Sequence, residues 1–405
     1  MLNHQTAVSE RRERNPPQSH IATEASPDIP AHAAARSRLP VCVLRDTCAI
    51  EERTAWAPYG AGGVWRRRQI DEILQRHGMK SIDMERIPKL SLPRKLHLAT
   101  SVMLRLGRRV SWSRISLASA VHSFAFYKHN LGRAGISRAI IVEWATDPLP
   151  FAVLRDTGFK IVVCLMALGS LWRERPHPIT GTYPRVFLSE VENLRLADAV
   201  FCISREEQWL LANLGVSARY LPYFPDSERE RELLDEREQR VAGLRNNEFL
   251  ICATRGNTDT TQSFREQVDW IRALFPTGEV TFHVTGNATE EIRDIWNSPG
   301  FVFHGTCPPN AFIDLKRRCR AICIHSQKGL GAVTRVPDML LAGLPVLATP
   351  AAARSFLDLN GVHVYNSAAE LRDLITSSLD VPSAPRRPEQ LENDFAEQLK
   401  RLTLG

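Results

Sequence analysis

The chain has 405 residues, 43% apolar content and a formal charge of +7. This composition is typical of a globular protein, and the length favours two domains. No window approaches the roughly 18–20 apolar residues that a membrane-spanning helix needs. Residues 1–38 lack the apolar core of a secretory signal and are rich in Pro, Ala, Ser, Arg and Glu. We therefore expect a disordered N-terminal arm over residues 1–38 and a cytoplasmic protein.

The positive charge is concentrated near the beginning of the chain. Residues 36–145 hold 20 Lys and Arg against 8 Asp and Glu, whereas residues 1–35 hold 3 against 4. The basic excess therefore belongs to the first domain.

The eight cysteines indicate a reduced protein without structural metal. Four of them, Cys164, Cys202, Cys252 and Cys323, lie inside apolar strand-like runs, where Cys acts as a small core residue. No C-x-x-C pair occurs, and no partner set with zinc spacing accompanies Cys319. We expect neither a disulfide framework nor a metal site.

The first part of the chain alternates short apolar strands with helices. A strand at 39–46, a loop containing Gly62 and Gly63 and a helix at 64–79 open it, and a basic, mainly helical stretch follows at 88–135. Further strands are predicted at 138–144, 160–166 and 198–204, and helices at 190–197 and 205–215. This alternation predicts a parallel sheet covered on both faces, so residues 39–222 are expected to form a Rossmann-like domain.

A composition break then separates two such domains. Two prolines in 220–233 and a run of Arg and Glu indicate an interdomain connection over 223–247, with a solvated helix at 227–244. The pattern restarts over 248–382. Strands are predicted at 249–257, 279–286, 301–305, 321–326 and 345–350, with helices at 261–274, 288–297 and 309–319 and a loop and helix at 327–342. Residues 383–405 form a polar C-terminal helix, and ligands are expected between the carboxyl ends of the two sheets.

The most informative segment is HSQKGLGAVTRVPDMLLAGLPVLATP at 325–350. A strand ends near His325, a loop with Gly329 and Gly331 lets backbone approach a ligand, and a helix begins near Thr334. Its positive end suits a phosphate or diphosphate. Arg335 adds a cation able to grip phosphate oxygens, and Asp338 on the same face is able to accept hydrogen bonds from sugar hydroxyls. The alternative is a plain glycine turn in which Asp338 pairs with Arg335.

This segment resembles the retaining glycosyltransferase group 1 family, whose members have the two-domain GT-B architecture. The matching residues are Gly329, Gly331, Arg335, Asp338 and the run AGLPVLAT at 342–349. EVENLRLADAVFCIS at 190–204, TFHVTGN at 281–287, FVFHG at 301–305 and Gly62-Gly63 followed by Arg67 also resemble family segments, so the resemblance covers roughly residues 40–375.

The resemblance implies transfer of a sugar from a nucleotide-diphosphate donor, with retention of configuration and no required metal. By position, Arg335 would neutralise the departing diphosphate and Asp338 would hold the ribose, and these two are the expected catalytic residues. The other expected donor contacts are Gly62, Gly63, Arg255, Gly256, Asn257, Gly286, His325, Ser326, Gly329, Leu330, Gly331 and Thr334.

Three positions depart from the family pattern. The acid is Asp338 where Glu is usual, Leu330 stands where a second Glu often contacts the donor sugar, and Ala167–Gly169 lacks the His that many members place there. These departures imply a different donor contact, or a chain that retains the fold and only binds.

Several single acids and one His have two interpretations. His325 and Ser326 close a strand at the cleft, where His325 either touches the donor or is satisfied by backbone. Glu143 and Asp147 are placed for acceptor contacts, although solvated loop acids are favoured. Glu207 is interpreted as a helix charge rather than a catalytic base.

The basic stretch at 89–115 interleaves Lys and Arg with Leu, Met and Trp. It suits an anionic membrane surface that carries a lipid-linked acceptor, which would place the enzyme at the inner face of the cell membrane. A solvated helical face is the alternative, and no motif indicates nucleic acid.

The function expected from these features is transfer of a sugar from a nucleotide-activated donor to a glycan or lipid-linked acceptor, in surface polysaccharide or glycolipid synthesis. A nucleotide-sugar epimerase of the same fold and an inactive binding protein are the alternatives.

Overall fold

Two six-stranded sheets, each parallel throughout, form the frame of the protein. The computed structural model describes residues 41–45, 62–84, 91–106, 114–133, 139–148, 151, 154, 158–172, 184–240, 247–253, 258–286 and 298–404. Both sheets lie within the unit formed by residues Pro40–Gly405.

The described residues of the first half form six strands and several helices. The strands are β1 (Val41–Arg45), β2 (Met79–Asp83), β3 (Ala139–Val142), β4 (Lys160–Leu165), β5 (Ala199–Cys202) and β6 (Ala218–Tyr220). The helices are α1 (Gly62–Arg76), α2 (Leu92–Leu106), α3 (Arg114–Arg133), α4 (Arg185–Leu196) and α5 (Arg205–Asn213), with a 3₁₀ turn at Gly169–Trp172.

The second half follows the connecting helix α6 (Ser227–Glu238). Its strands are β7 (Glu248–Cys252), β8 (Thr281–Thr285), β9 (Phe301–Gly305), β10 (Ala321–Ile324), β11 (Val346–Ala348) and β12 (Val362–Val364). Its helices are α7 (Thr258–Leu274), α8 (Pro309–Arg318), α9 (Arg335–Leu341), α10 (Pro350–Ala353), α11 (Ala368–Thr376) and α12 (Glu389–Leu404).

Strand order fixes where a ligand can bind. The first sheet runs β2-β1-β3-β4-β5-β6, and the second runs β12-β11-β10-β7-β8-β9, which is the Rossmann order. In the second sheet the order reverses between β7 and β10. Because ligands of such sheets bind outside the carboxyl ends of the strands at this reversal, the ends of β7 and β10 define the expected crevice.

The C-terminal helix α12 packs against the first sheet although its sequence is mostly polar. Phe395 and Leu399 are fully buried, and the Phe395 ring meets the Phe201 ring edge to face at 4.9 Å. At its start, Glu392 is also buried and accepts a hydrogen bond from Gln69 at 3.0 Å. Helix α12 therefore packs on the first half of the chain, and the prediction of a polar helix at 383–405 missed this buried face.

The parallel α/β class and the order of most elements are confirmed. Sequence analysis missed β2, β6 and β12, which lie at or next to sheet edges, where few side chains are buried and the apolar signal is weak. The predicted arm at 1–38 and the predicted helix at 288–297 lie outside the described residues. Within the described part of the chain, no helix is long and apolar enough to cross a membrane.

Candidate active site

The crevice at the carboxyl ends of β7 and β10 holds Arg335 at the first turn of α9. Its Nη1 donates a hydrogen bond to the carbonyl oxygen of Cys252, the last residue of β7, at 3.0 Å. Gly286, just after β8, packs so closely that a Cβ there would lie 1.8 Å from the Ala253 carbonyl oxygen. The structure thus brings Arg335 and Gly286 to the same edge of the sheet, while the predicted contacts Arg255, Gly256 and Asn257 lie outside the described residues.

The glycine loop between β10 and α9 touches the first half of the chain. Gly331 has φ +63°, and a Cβ there would lie 2.2 Å from the carbonyl oxygen of Met166 and 3.3 Å from the Ala167 Cβ. The loop therefore meets the carboxyl end of β4, at Met166 and Ala167. Leu330 and Gly331 thus enter a contact between the two halves, and only a glycine fits at position 331.

Glu207 holds this contact together. Its Oε1 accepts hydrogen bonds from the Gly331 N–H at 2.7 Å and from the Leu168 N–H at 3.4 Å. The side chain is buried, and Oε2 has no hydrogen-bond partner within the described residues. Burial raises the pKa of Glu207, although the two backbone N–H groups and the nearby Arg354 lower it. The interpretation of Glu207 as a helix charge is wrong, and the Gly331 N–H is already occupied rather than directed at a phosphate.

A second buried acid, Glu190 on α4, shapes the loop that follows β4. Its carboxylate accepts the N–H groups of Gly169 and Ser170, each at 2.9 Å, and also the Ser170 hydroxyl. Burial raises the pKa of Glu190, and the hydrogen bonds from Ser170 and Gly169 oppose the rise. On the same helix, Asn193 donates to the Ala145 carbonyl oxygen at 2.7 Å. These two polar side chains fix the loops after β3 and β4.

Arg354 adds a cation beside the glycine loop. A Cβ on Gly329 would lie 2.7 Å from the Arg354 Cδ, and Arg354 Nη2 donates to the Ser204 hydroxyl at 3.0 Å. Sequence analysis missed Arg354, because it follows the alanine run at 351–353 and belongs to no motif. Arg335 and Arg354 are thus two arginines that the fold places around the loop.

Ser355 and Asp358, which follow Arg354, bond to the N-terminus of α5. Glu206 accepts hydrogen bonds from the Ser355 N–H at 2.8 Å and the Ser355 hydroxyl at 2.5 Å, while the Arg205 N–H donates to the Ser355 hydroxyl at 3.0 Å. Arg205 and Asp358 form an ion pair at 3.0 Å. Burial alone would raise the pKa of Glu206, but hydrogen bonds from Ser355 and Ser204 outweigh it and lower the pKa to about 2.

The predicted first glycine loop also reaches the second half. A Cβ on Gly62 would lie 2.9 Å from the Thr334 Oγ1, so these two predicted donor contacts are neighbours. Gly63 is the next residue of α1. One turn on, Arg67 forms an ion pair with Glu143 at 3.7 Å.

Glu143 is buried, so its interpretation as a solvated loop acid is wrong. Asp147, further along the same loop, is only half-buried. Burial of Glu143 follows from its place directly after β3, a fully buried strand, where Arg67 supplies the opposite charge.

Asp338 faces the connecting segment. Tyr223 donates its hydroxyl to Asp338 Oδ1 at 3.0 Å, and Arg229 Nε lies 3.9 Å from Oδ2. Burial raises the pKa of Asp338 to about 6, with Arg229 and Tyr223 opposing the rise. Asp338 therefore does not pair with Arg335, and the ribose contact expected of it stays a prediction.

His325 is bonded within the second half. Its Nε2 lies 2.7 Å from Glu266 Oε2, and its Nδ1 lies 3.1 Å from the Tyr365 hydroxyl. Both ring nitrogens are therefore engaged by side chains rather than by backbone. Ser326, the next residue, donates its hydroxyl to the Lys328 carbonyl oxygen at 2.7 Å and so shapes the start of the glycine loop.

The sequence contains a periodic pattern that indicates the burial of Glu190, which sequence analysis missed. On α4 the buried residues Val186, Glu190 and Leu194 recur every four positions, which places Glu190 on the apolar stripe. An acid on such a stripe indicates a buried partner, here the N–H groups after β4. Glu207 gives a weaker signal, since its partner Gly331 is 124 residues away.

Solved structures share the fold of this chain. Anabaena HepE in complex with UDP is 12% identical, with 89% of this chain and 99% of that chain covered at a TM-score of 0.54. Sucrose-phosphate synthase from Thermosynechococcus elongatus is 14% identical over 89% and 94% of the two chains, with a TM-score of 0.53. The UDP-GlcNAc 2-epimerase of Methanocaldococcus jannaschii is 8% identical over 89% and 99%, with a TM-score of 0.50.

The chain matches no protein-family model and no curated protein sequence. It spans about half of TarM, with 54% of that longer chain covered at a TM-score of 0.44. Structural similarity at such low identity defines the fold alone. Two parallel six-stranded sheets that meet at the carboxyl ends of their strands, shared over 89% of the chain with HepE and sucrose-phosphate synthase, give this protein the GT-B fold.

Proposed function

We propose that the protein transfers a sugar from a nucleotide-diphosphate sugar to a glycan or lipid-linked acceptor, with retention of configuration and without a required metal. The observation that carries this proposal is the contact of the Gly331 loop with the carboxyl end of β4, next to Arg335. It joins the expected donor half to the expected acceptor half. The UDP and UDP-glucose bound to HepE support a nucleotide-sugar donor.

The chemistry asks the protein to stabilise charge on a departing diphosphate. We assign this task to Arg335, which begins α9 and donates to the last residue of β7, and to Arg354 beside Gly329, because preorganised cations stabilise such charge most effectively. Retention rests on the resemblance of 325–350 to the retaining family. Synthesis of a surface polysaccharide or glycolipid is the expected role, on the same ground.

A donor panel tests this function. The full chain is incubated with UDP-, GDP- and ADP-sugars, and nucleotide release is followed together with thermal shift. One donor should raise the melting temperature and release its nucleotide diphosphate, and Arg335→Ala should lower turnover by about 100-fold or more. Arg372→Ala, an exposed arginine on α11, is the matched control. If no nucleotide sugar binds, the proposal is wrong; binding without release identifies an inactive binding protein.

The same assay distinguishes an epimerase, which would yield an epimeric nucleotide sugar without nucleotide release. An epimerase needs acid and base groups facing the sugar. Both Glu190 oxygens already accept hydrogen bonds, so Glu207 Oε2 is the one oxygen of these two carboxylates without a partner in the described part of the chain. The anomeric configuration of the product, read by proton NMR, tests retention.

We propose that α2 places the enzyme on an anionic membrane surface, at the cytoplasmic face of the cell membrane. Leu92, Leu96, Met103 and Leu104 are 70, 63, 45 and 80% exposed, whereas Leu98 and Val102 on the other side are buried. No Asp or Glu occurs between Glu85 and Glu143. An apolar stripe within an acid-free basic segment suits insertion among acidic headgroups.

Vesicle sedimentation tests this surface. The protein should bind phosphatidylglycerol vesicles and not phosphatidylcholine vesicles, and Leu92→Glu with Leu96→Glu should abolish binding. Leu188→Glu, at a leucine that is 58% exposed on α4, should leave it unchanged. Equal binding by all variants would show that α2 is only a solvated face.

A further inference from the structure

We propose that Glu248, His283 and Cys319 form a binding site for a divalent transition-metal ion, with zinc as the best match. Their ligand atoms, one each from oxygen, nitrogen and sulfur, all lie within 4.8 Å of one another. Glu248 begins β7, His283 lies in β8, and Cys319 follows α8. The three residues are scattered over 72 positions, so no short sequence motif announces them.

The distances suit a tetrahedral ion after a small adjustment. Glu248 Oε2 and His283 Nε2 are 3.3 Å apart. Typical zinc bond lengths place ligand atoms about 3.4–3.6 Å apart around a tetrahedral centre. The nitrogen and oxygen are thus already spaced as ligands, and the thiol has to move by about 1 Å to complete the set. Nitrogen, oxygen and thiolate together favour zinc over magnesium or calcium.

His304 holds His283 in the required orientation. Nδ1 of His283 lies 2.9 Å from Nε2 of His304. Arg318 Nη2 also lies 3.3 Å from Nδ1, and a guanidinium can only donate. Once Arg318 moves away and Nδ1 carries the proton, His283 donates to His304 and presents its Nε2 lone pair to Glu248 and Cys319. Histidines that bind metals usually donate their other ring N–H in this way, which fixes the tautomer.

The carboxylate of Glu248 has an unsatisfied oxygen. Oε2 is shielded from solvent and accepts no hydrogen bond of good geometry from the described residues. Among the described residues its nearest cation is Arg318, whose Nε lies 3.4 Å away and whose side chain is 50% exposed. Since Arg318 is half in solvent, it is able to swing outward and yield its place to an ion. The Arg318 guanidinium thus competes with a metal ion for Glu248 Oε2.

This site is separate from the donor crevice. Glu248 lies at the amino end of β7, whereas the crevice lies at the carboxyl end, beyond Cys252. A bound ion would tie β7, β8 and the turn after α8 together. Its expected effect is on the stability of the second half, and sugar transfer would need no ion there.

Metal binding is measured on the full chain after chelator treatment, with Zn²⁺ and then Co²⁺ as probes. One equivalent should bind, raise the melting temperature, and give with Co²⁺ the thiolate charge-transfer band of a cysteine-bound ion. Cys319→Ser should lose that band, while Cys307→Ser, at a buried thiol outside the cluster, should keep it. His304→Gln should weaken binding by about 10–100-fold.

The variant Arg318→Ala distinguishes a metal site from a structural ion pair between Arg318 and Glu248. Removing the competing guanidinium should tighten zinc binding, whereas a purely structural Arg318–Glu248 pair predicts only lower stability and no zinc response. Absence of stoichiometric binding to the wild type and to Arg318→Ala would overturn the proposal, as would a charge-transfer band that survives Cys319→Ser. Far-ultraviolet circular dichroism confirms that each variant is folded.

Discussion

The Gly331 N–H donates a hydrogen bond to Glu207 Oε1 at 2.7 Å, and this bond joins the glycine loop of the second half to α5 of the first. The same oxygen accepts the Leu168 N–H. One buried carboxylate thus sets the relative position of the two loops that border the candidate site. The contact makes the loop geometry depend on a residue outside the motif.

Replacing Glu207 should weaken both the fold and the site. Glu207→Ala leaves two buried N–H groups without an acceptor, which costs about 1–3 kcal/mol of unfolding free energy. Glu207→Gln keeps an acceptor oxygen and removes a buried charge, so it should cost less than Glu207→Ala. Urea denaturation measures both variants. Equal stability of Glu207→Ala and wild type would contradict this role.

Gly331→Ala should lower the unfolding free energy by more than the cost of placing an alanine in a left-handed backbone conformation. Gly78 has a similar φ of +71°, but a Cβ there would meet no atom of the described residues within 4 Å, whereas a Cβ on Gly331 would lie 2.2 Å from the Met166 carbonyl oxygen. Gly78→Ala should therefore cost only about 1–2 kcal/mol for the left-handed backbone. Gly331→Ala should cost more and should also abolish the thermal shift caused by the donor. Similar effects of the two substitutions would mean that the loop moves freely from Met166.

The fold class was predictable because the buried strands carry their own signal. Runs such as IVVCL in β4 and AICI in β10 are apolar throughout, as strands buried on both faces must be. The short strand β2, with the sequence MKSID, has one buried residue and left no such run. Edge strands of this kind are held by backbone pairing, here to β1, which composition does not reveal.

The candidate site was predictable where one segment contains it. Gly329, Gly331 and Arg335 stand in one motif, and the fold brings them to the crevice. Glu207 and Arg354 reach the same place from distant segments, and their roles come from tertiary contacts. Asp338 shows the opposite case, since its spacing from Arg335 suggested a shared face but its carboxylate contacts Tyr223.

Asp338 should make stability depend on pH. Its pKa is about 6 in the folded chain against 3.8 for an unperturbed Asp. Between these values the folded chain holds a proton that the unfolded chain has released, so the unfolding free energy falls as pH rises through this window. The shift corresponds to about 3 kcal/mol.

Asp338→Asn removes this titration. The unfolding free energy of the variant relative to wild type should therefore rise by about 2 kcal/mol from pH 4 to pH 7, measured by denaturant titration. Tyr223→Phe removes a hydrogen bond that lowers the Asp338 pKa. In this variant the pH range over which the unfolding free energy falls should therefore extend to higher pH. A pH-independent difference for Asp338→Asn would show that the carboxyl titrates alike in both states.

Glu206 and Ser355 should be energetically coupled across the two halves. Ser355 has φ +67°, a left-handed backbone that costs a non-glycine residue about 1–2 kcal/mol. Its N–H and hydroxyl both donate to Glu206, which compensates for that cost. Ser355→Ala should destabilise the chain, because it loses the hydroxyl and keeps the strain. Ser355→Gly, which relieves the strain, should be the more stable of the two.

A double-mutant cycle of Glu206→Gln with Ser355→Ala measures this coupling. We expect a coupling free energy of about 1 kcal/mol at neutral pH, because the Glu206 side chain is 42% exposed and solvent weakens its interactions. Because the folded pKa of about 2 lies below the ordinary 4.5, the contribution is complete above pH 4.5 and disappears as pH falls through 2. If the effects of the two substitutions on the unfolding free energy simply add at pH 7, the hydrogen bonds between Glu206 and Ser355 contribute nothing to stability.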